Sequence, residues 1–362
     1  MKTRIQSVDL FRGLTIAAMI LVNTPGTWDA IYAPLEHSAW HGLTPTDLIF
    51  PFFLFIVGLS ISLAYKNKLN NAAAYKKIII RSLKIIGLGL FLNLFSPYFP
   101  FIENLSTVRI PGVLQRIGVV FLIAAVINLN FSWKSILIIS ASILIIYWLW
   151  MGYVPLNGMK PSFERVPNNW ASYLDLKIFG KHTWRLDYDP EGLLSTFPSV
   201  VSSLAGVLVG KILMAPGDNK IIKFIWSGVA MLVIGLIWNN WFPINKALWS
   251  SSFVLVTSGL GTLFLALLYY VSDVKKNSIG SLFKYMGANA IAIYFLSSVI
   301  ETTFDSLQVN KTESIHEWLY HSFFTSFISN QKLASVCYAV MTVLFYLWFG
   351  YMLFKRKIII KV

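Results

Sequence analysis

The residues best suited to chemistry lie in one stretch of the chain, 23–47, which reads N-T-P-G-T-W-D-A-I-Y-A-P-L-E-H-S-A-W-H-G-L-T-P-T-D. His37 and His41 lie four residues apart, and Asp47 follows at the start of an apolar run. A neutral imidazole is the usual general base at neutral pH. The spacing also suits two metal ligands on one helical turn, but nearby Gly and Pro residues disfavour a helix and no third ligand is evident. The alternatives are acid–base chemistry and ordinary residues of a membrane interface, and we predict no metal site.

A second group consists of polar residues inside or beside apolar runs. Asp9 and Arg12 lie one turn apart in the first run, and the motif R-I-P-G-V-L-Q-R supplies Arg109, Gln115 and Arg116. Charges within a membrane are costly and are normally paired or functional. These residues therefore form internal salt bridges or bind a polyanion, since arginine binds phosphate bidentately. The sequence leaves both interpretations open.

Three further motifs have simple structural explanations. Asp189 and Glu191 lie in Y-D-P-E-G, which is typical of the first turn of a helix because Pro and acidic residues are favoured there. Asn245 and Lys246 lie in a predicted tight turn. The segment 287–289, Gly-Ala-Asn, is typical of a close approach between two membrane helices.

The composition identifies the elements that must position these residues. The chain has 362 residues, of which 56% are hydrophobic and 13% are charged, whereas soluble domains have about 25% charged residues. This excludes a soluble enzyme, a disordered chain and a disulfide-stapled domain. The prediction is an all-α polytopic membrane protein with about ten transmembrane helices. The predicted spans are about 10–23, 47–65, 78–96, 111–128, 134–151, 196–214, 222–239, 249–270, 281–301 and 334–354.

The distribution of charge predicts the orientation. An even number of spans places both termini on one side of the membrane. Most of the 30 Lys and Arg residues fall in segments on that side. Because cytoplasmic segments of membrane proteins are enriched in Lys and Arg, both termini are predicted to be cytoplasmic. This bias explains the net charge of +14 without a nucleic-acid partner. The chain is then a single transmembrane domain, 1–362, with long non-cytoplasmic loops at 24–46 and 152–195. All five histidines fall in predicted non-cytoplasmic loops, which predicts chemistry at the far membrane surface. The single cysteine, Cys337, excludes an internal disulfide.

Six motifs, taken in chain order, resemble the heparan-α-glucosaminide N-acetyltransferase family. They are S-V-D-L-F-R-G-L at 7–14, H-S-A-W-H-G-L-T-P-T-D-L-I-F-P-F-F-L-F-I-V-G at 37–58, R-I-P-G-V-L-Q-R-I-G at 109–118, Y-D-P-E-G at 188–192, N-K-A-L-W-S at 245–250 and M-G-A-N-A at 286–290. The resemblance covers nearly all of the chain. It implies a transmembrane acetyltransferase that takes acetyl-CoA from the cytosol and acetylates the amine of a terminal glucosamine, as in heparan, on the far side.

The resemblance also implies which residues are catalytic. The family histidine lies in an H-x-x-W-x-G-L-T block and corresponds to His37 rather than His41, and its partner asparagine corresponds to Asn23. Asp47 then either orients His37 or caps the second span. His37 either removes the proton of the acceptor amine or carries the acetyl group itself. Asn23 donates a hydrogen bond to the developing oxyanion.

Binding residues follow from the same resemblance. Acetyl-CoA carries phosphates, so the predicted donor-binding residues are mainly basic, namely Arg12, Arg109, Gln115 and Arg116. The predicted acceptor-binding residues are Trp40, His41, Asp189, Glu191, Asn245 and Lys246. The sequence lacks the N-terminal region of the lysosomal members, which implies a bacterial type in the cytoplasmic (inner) membrane. His41 stands where the lysosomal enzyme has an amide side chain, so the acceptor sugar is left open.

Three other functions compete with this one. An O-acetyltransferase of an envelope polysaccharide would use the same donor and the same histidine. An amino-sugar transporter would also present aromatic residues and a few buried charges, although the sequence has no internal repeat. A membrane scaffold would leave the pairing of His37 with Asn23 unexplained. Beyond acetyl-CoA and a glycan acceptor, the expected partners are the lipid bilayer and a second copy of the chain, docked through an apolar face such as 334–354.

Overall fold

The fold is entirely helical. A computed structural model describes residues 5–65 and 71–360, and this part of the chain forms thirteen α-helices. The helices are α1 (Gln6–Asn23), α2 (Ile49–Ala64), α3 (Ala72–Leu94), α4 (Val113–Asn130), α5 (Trp133–Tyr153), α6 (Trp170–Phe179), α7 (Leu193–Met214), α8 (Lys220–Trp238), α9 (Ser251–Tyr269), α10 (Ser281–Ala288), α11 (Ala290–Ser306), α12 (Ile315–Tyr320) and α13 (Gln331–Lys355). The predicted all-α class is confirmed.

The predicted polytopic membrane fold is also confirmed, with fewer strongly apolar helices than expected. Within the described residues, seven helices are long and apolar enough to cross a membrane, and a bent pair of helices raises the number to eight. Each of the ten predicted spans coincides with helical structure. However, α1 and α3 are not among the seven. Both carry charged side chains, such as Asp9 and Arg12 in α1 and Arg81 and Lys84 in α3.

One predicted span is wrong as a continuous helix. The segment 281–301 breaks at Asn289, and the axes of α10 and α11 meet at 82°. The amide of Asn289 donates to Ile358 O (3.1 Å) and accepts from Ile360 N (2.8 Å), which fixes the break against the end of the chain. A Cβ atom at Gly287 would lie 2.2 Å from Asp9 O, so the absence of a side chain lets α10 cross α1 closely, as the sequence predicts.

The core is built around tight helix crossings. A Cβ atom at Gly58 in α2 would lie 1.8 Å from Ser203 O in α7, and one at Gly206 would lie 1.9 Å from Phe55 O. The two backbones therefore approach each other without intervening side chains. Of the seven apolar helices, α7 has the largest fraction of buried residues, so it lies at the centre of the bundle.

The two ends of the bundle differ in character. At one end, which we call the terminal face, Gln6 N donates to Asp273 Oδ1 (3.0 Å) and Asn289 binds the last described turn. The described chain therefore begins and ends at the same face, as an even number of spans requires. Which compartment this face contacts stays a prediction. Several of the basic residues on which the predicted cytoplasmic orientation depends lie outside the described residues, namely Lys2, Arg4, Lys66, Lys68 and Lys361.

At the other end, which we call the loop face, three long connections pack together. They are 24–48, 154–192 and 239–250. Gly42 N donates to Ile244 O (2.8 Å), and Trp40 Nε1 donates to Phe163 O (2.9 Å). Trp40 also contacts the ring of Tyr188, with centroids 5.3 Å apart. Residues far apart in sequence thus form one surface.

Candidate active site

A cavity of about 340 Å³ opens at the loop face, and we call it the His37 cavity. Its volume lies within the range of small-molecule sites, about 300–1,000 Å³. It brings together seven of the predicted site residues, which lie in four separate parts of the chain. These are Asn23, His37, Trp40, Asp47, Arg109, Glu191 and Lys246. The other six predicted residues, Arg12, His41, Gln115, Arg116, Asp189 and Asn245, do not line it.

His37 and Asp47 form the central pair of this cavity. His37 Nδ1 lies 2.7 Å from Asp47 Oδ1. The carboxylate is an acceptor, so the imidazole carries its proton on Nδ1 and keeps a lone pair on Nε2. The His37 side chain is 52% exposed, whereas that of Asp47 is 1% exposed. A buried carboxylate therefore fixes the tautomer of an accessible imidazole, as a general base requires.

The loop around Asp47 is folded to hold its carboxylate. Asp47 lies in a single 3₁₀ turn, Thr46–Leu48, directly before α2. Its Oδ2 accepts hydrogen bonds from Thr44 N (3.0 Å), Thr44 Oγ1 (3.0 Å) and Ser38 N (3.1 Å). These donors compensate the burial of the negative charge. The roles of Ser38 and Thr44 could not be predicted from residue types, since serine and threonine are common in any loop.

Lys246 completes the charged group from the loop between α8 and α9. Its Nζ lies 3.1 Å and 3.2 Å from the two ring nitrogens of His37 and 3.8 Å from Asp47 Oδ1. The preceding residue, Asn245, is buried and accepts a hydrogen bond from Leu248 N (2.8 Å), which fixes the turn that presents Lys246. Burial lowers the pKa of Lys246, and the charge of Asp47 partly opposes this effect.

Asn23 lies at the last position of α1, on the edge of the same cavity. Its side chain is exposed and makes no hydrogen bond to any described residue. Since His37 lines the same cavity, the amide of Asn23 is placed where it can donate to a ligand held against His37. The predicted pair is thus brought into one cavity by the end of α1 and the loop that follows it.

Arg109 lies on the opposite wall and is paired with two carboxylates. Its Nε and Nη2 donate to Asp189 (2.8 and 2.5 Å), and Nη2 also donates to Glu191. Asp189 in turn accepts from Trp184 N and Glu191 N, both at 2.8 Å. Burial alone would lower the pKa of Arg109, but its hydrogen bonds with Asp189 and Glu191 outweigh burial and raise it. Arg109 therefore holds the Asp-Pro-Glu turn in place against the cavity.

His41 lies outside the cavity and joins two loops. Its Nε2 lies 3.1 Å from Glu164 Oε1, and its Nδ1 lies 3.2 Å from Asn245 Nδ2. The two histidines of the loop, four residues apart, thus contact different carboxylates and point to different places. No group of three or more possible metal ligands occurs among residues 5–65 and 71–360.

Arg116 is buried inside the bundle beneath the loop face. Its Nη2 donates to Gly192 O (2.9 Å) and to Ser195, and its guanidinium lies 5.2 Å from the centroid of the Trp249 ring. Two of its nitrogens are buried without a partner in the described structure. This position links α4 to the start of α7, and Arg116 lines none of the cavities described in this section.

A neighbouring carboxylate leads to a prediction about stability and pH. Asp175 in α6 is buried and accepts from Leu193 N (2.7 Å). Burial raises the pKa of Asp175 to about 7, from 3.8 for an ordinary aspartate, although the bond from Leu193 opposes the shift. Between these values the folded protein holds a proton that the unfolded chain has released, so the contribution of Asp175 to stability falls as the pH rises from about 4 to 7.

We therefore expect Asp175→Asn to be more stable than the wild type at pH 8 and no more stable at pH 4. The gain should be a few degrees in Tm, because 1 kcal/mol corresponds to about 2–4 °C in a chain of more than 150 residues. Thermal unfolding in detergent from pH 4 to 8 measures the difference between the two proteins. A constant difference across this range would show that Asp175 does not titrate there.

A second cavity of about 390 Å³ lies toward the terminal face, and we call it the Arg12 cavity. Arg12 donates to Ser60 Oγ (2.7 Å), Asp9 Oδ1 (3.3 Å) and Gly287 O (3.3 Å). Arg81 also lines this cavity, with its guanidinium 4.9 Å from the centroid of the Phe121 ring. The sequence did not single out Arg81, because it follows two lysines at the start of an apolar run and counts there as ordinary cytoplasmic charge.

The two cavities meet inside the bundle. Phe53 in α2 and Ile117 in α4 line both of them. Two apolar side chains therefore separate the His37 cavity, at the loop face, from the Arg12 cavity, toward the terminal face. The sequence could not indicate this, since a Phe and an Ile in apolar helices are indistinguishable from lipid-facing residues.

Together the fold and the cavities define a polytopic helical membrane protein with a histidine–carboxylate pair at one face and two arginines toward the other. A family model described as "Heparan-alpha-glucosaminide N-acetyltransferase, catalytic" matches residues 4–240. The chain therefore belongs to the heparan-α-glucosaminide N-acetyltransferase family, and the resemblance stated from its six motifs is confirmed.

Two curated relatives support this assignment. The chain is 33% identical to heparan-alpha-glucosaminide N-acetyltransferase from Homo sapiens and 32% identical to the protein of the same name from Mus musculus. Each alignment covers 83% of this chain and 54% of the relative. The chain thus spans about half the length of the curated relatives it matches. The family match includes His37, Asp47 and Arg81, whereas Lys246 lies beyond it.

Proposed function

We propose that this protein is a membrane acetyltransferase that moves the acetyl group of cytosolic acetyl-CoA to the amine of a glucosamine-type sugar on the other side of the membrane. The observation that carries the proposal is the arrangement of the two cavities. The His37 cavity holds an oriented base, and the Arg12 cavity holds two arginines, with Phe53 and Ile117 between them. A donor with phosphates at one end and a thioester at the other fits such an arrangement.

The proposed chemistry begins at Nε2 of His37. Asp47 holds the Nδ1 proton, so Nε2 accepts a proton from the acceptor amine as its nitrogen attacks the thioester carbon. The C–S bond then breaks, and the leaving sulfur takes the proton from Nε2, which restores neutral His37. In the alternative route, Nε2 itself attacks the thioester carbon, the C–S bond breaks and the thiolate leaves. The amine then attacks the acetyl-imidazole, the C–Nε2 bond breaks, and the proton released by the amine passes to the thiolate.

Two side chains are placed to stabilise charge during this reaction. The amide of Asn23 donates to the oxyanion that forms on the thioester carbonyl, and one such donor contributes about 3–4 kcal/mol in other enzymes. Lys246, which lies beside both ring nitrogens of His37, places a cation next to the developing negative charge. Trp40 and Glu191, on the cavity wall, are the groups available to hold the sugar ring.

The donor phosphates are proposed to bind at Arg12 and Arg81, with the thioester arm passing between Phe53 and Ile117. This assignment requires the terminal face to contact the cytosol, in agreement with the charge bias of the sequence. In a bacterium the membrane is then the cytoplasmic one. Arg109 and Arg116, which are already paired or buried at the other face, have no part in it, and Gln115 donates to Ile110 O (3.2 Å).

Arg81 gives the clearer test, because Arg12 also holds α1 against α2 and α10. We expect Arg81→Gln to weaken acetyl-CoA binding about 10- to 100-fold, since a hydrogen bond to a charged group contributes about 1.5–3 kcal/mol. The loss should shrink at high salt, where charge attraction is screened. Equilibrium binding of acetyl-CoA to the detergent-solubilised protein measures both effects.

Lys84→Gln is the matched control, because Lys84 lies one turn further along α3, is exposed and does not line the Arg12 cavity. It should bind acetyl-CoA as the wild type does. Equal losses in the two variants would indicate a general effect of charge on α3 and would remove Arg81 from the donor site.

The activity itself is tested with purified protein in detergent, radiolabelled acetyl-CoA, and either glucosamine or N-acetylglucosamine. The amine-directed enzyme labels glucosamine only. Labelling of N-acetylglucosamine, which offers only hydroxyl groups, would favour the O-acetyltransferase. Saturable binding of glucosamine with no transfer and no binding of acetyl-CoA would favour the amino-sugar transporter.

A further inference from the structure

A third cavity adjoins the His37 cavity and lies outside the proposed path of acetyl-CoA. It has a volume of about 490 Å³, lies between α3, α4 and α11, and we call it the Glu301 cavity. It shares four lining residues with the His37 cavity, namely Arg109, Val113, Trp184 and Tyr294. The two cavities are therefore neighbouring chambers that share these four side chains.

The lining of the Glu301 cavity is polar. Within an otherwise apolar bundle it presents the side chains of Asn93, Gln115, Ser298, Glu301 and Thr302 in addition to Arg109. Amide and hydroxyl groups of this kind hydrogen-bond to the hydroxyl groups of sugars. Polar residues inside a membrane bundle are costly and are normally functional, so this lining indicates a polar ligand.

Glu301 is the carboxyl group of this lining. Its carboxylate has no hydrogen bond or ion pair within residues 5–65 and 71–360, and its charged neighbours are Asp305 and His316. His316 is already occupied, since its Nδ1 lies 3.1 Å from Asp305 Oδ1 and its Nε2 lies 3.2 Å from Gly26 O. The imidazole beside Glu301 is therefore already engaged by Asp305 and Gly26. The Glu301 carboxyl group has no hydrogen-bonded cation among the described residues.

The charges around both chambers favour a cationic ligand. Asp47, Glu191 and Glu301 line the two cavities, against Arg109 and Lys246. Arg109 is further neutralised by Asp189 beneath it. A sulfated or carboxylated glycan would place anions beside Glu301, whereas a glycan that carries amines supplies the missing cation. Amines next to electron-withdrawing groups titrate near pH 8 and are largely protonated at neutral pH.

We propose that the Glu301 cavity is a second acceptor subsite, in which the Glu301 carboxylate binds the ammonium group of the sugar unit next to the one that is acetylated. The acceptor class is an unsulfated oligosaccharide of at least two amino sugars. This inference rests on the proposed function, since the first unit must lie with its amine at His37. It makes Glu301 a residue that determines acceptor specificity, and the residue lies beyond the part matched by the family model.

The test compares three ligands that differ in one group. They are glucosamine, a glucosamine disaccharide, and the same disaccharide with its second amine acetylated. We call the glucosamine disaccharide with two free amines the diamine. Calorimetric titration of detergent-solubilised protein should show that the diamine binds at least tenfold more tightly than the acetylated disaccharide. In Glu301→Gln this advantage should disappear, while the affinity for glucosamine stays within about twofold. Here a tenfold change corresponds to about 1.4 kcal/mol.

Glu313→Gln is the control, because it removes a carboxylate that does not line the Glu301 cavity and is hydrogen-bonded to His321 instead. It should keep the preference for the diamine. Equal binding of the two disaccharides to the wild type, or equal loss of preference in both variants, would overturn the subsite. An unchanged thermal unfolding profile for Glu301→Gln excludes misfolding.

Acetyl transfer, measured separately with the same ligands, distinguishes the two proposals. Transfer to glucosamine without a preference for the diamine would overturn only the second subsite. A second outcome is that the diamine binds tightly in a manner that depends on Glu301, but no ligand is acetylated. This outcome would overturn the proposed acetyltransferase function and leave Glu301 as the residue that binds the second amine.

Discussion

The variant His37→Ala should lose acetyl transfer almost completely while it keeps its fold and its affinity for acetyl-CoA. We expect kcat to fall by about 10²–10⁴-fold, the range for removal of a general base. If His37 instead carries the acetyl group, the fall in kcat lies at or beyond the upper end of this range. The side chain is half exposed and forms its polar contacts with Asp47 and Lys246 at the loop face, so its removal creates no cavity in the apolar core. Single-turnover assays in detergent give the rate, and acetyl-CoA binding is measured on the same preparation.

The chain offers a closely matched control for this variant. His321 has a 53% exposed side chain and hydrogen-bonds through Nδ1 to a carboxylate, Glu313 Oε1, at 2.8 Å. The corresponding values for His37 are 52% and 2.7 Å. His321 lines none of the three cavities discussed above. His321→Ala should therefore retain wild-type turnover, and normal turnover in His37→Ala would remove His37 from the chemistry.

Part of the candidate site could be predicted from residue types. The loop 23–47 contains an unusual density of polar residues, and the resemblance to the family selects His37 over His41. The geometry agrees that the two histidines differ, because His37 lines the cavity and His41 joins Glu164 to Asn245. Spacing alone could not separate them, since four residues of irregular loop do not fix the directions of two side chains.

Other parts of the site depend on long-range packing that leaves no local signal. Arg109 and Arg116 lie seven residues apart in one motif, yet Arg109 pairs with two carboxylates at a cavity wall and Arg116 is buried below. Arg12 and Arg81, in contrast, are far apart in sequence and share a cavity. The sequence predicts that arginines in apolar helices matter, but only the packing of α1, α2, α3 and α4 determines which of them meet.

The helices were more predictable than the number of apolar spans. Apolar runs locate helices well because a lipid-facing helix and a buried one are equally hydrophobic. They do not reveal a break at Asn289, which depends on hydrogen bonds to Ile358 and Ile360 at the far end of the chain. They also overstate α1 and α3, in which Arg12 and Arg81 line the Arg12 cavity. The departures from a simple ten-helix pattern thus occur close to the proposed donor site.

Asp47→Asn is the second variant with a large expected effect, because Asp47 holds the loop with one carboxylate oxygen and orients His37 with the other. The amide oxygen can still accept from Ser38 N and Thr44 N, so the loop keeps its fold. The amide nitrogen then faces His37 Nδ1 as a donor. The imidazole must move its proton to Nε2 to accept that hydrogen bond, and its catalytic lone pair is lost. A carboxylate-to-amide change of this kind costs about 10⁴-fold in kcat in a histidine-dependent enzyme, and we expect a loss of 10³–10⁴-fold here.

The kinetic constants distinguish this role from a structural one. A wrong tautomer lowers kcat and leaves the KM for acetyl-CoA and the Tm close to those of the wild type. The carboxylate of Asp47 does not cap α2, since it binds Ser38 and Thr44 in the preceding loop. If Asp47 only holds this loop, Asp47→Asn keeps normal kcat, and Asp47→Ala loses stability by leaving the Ser38 and Thr44 donors unpaired. Glu313→Gln, which makes the same change beside His321, should alter neither constant. A normal kcat in Asp47→Asn would show that His37 does not need this carboxylate to act as a base, and Lys246, which contacts both ring nitrogens, would then be the group that sets its protonation.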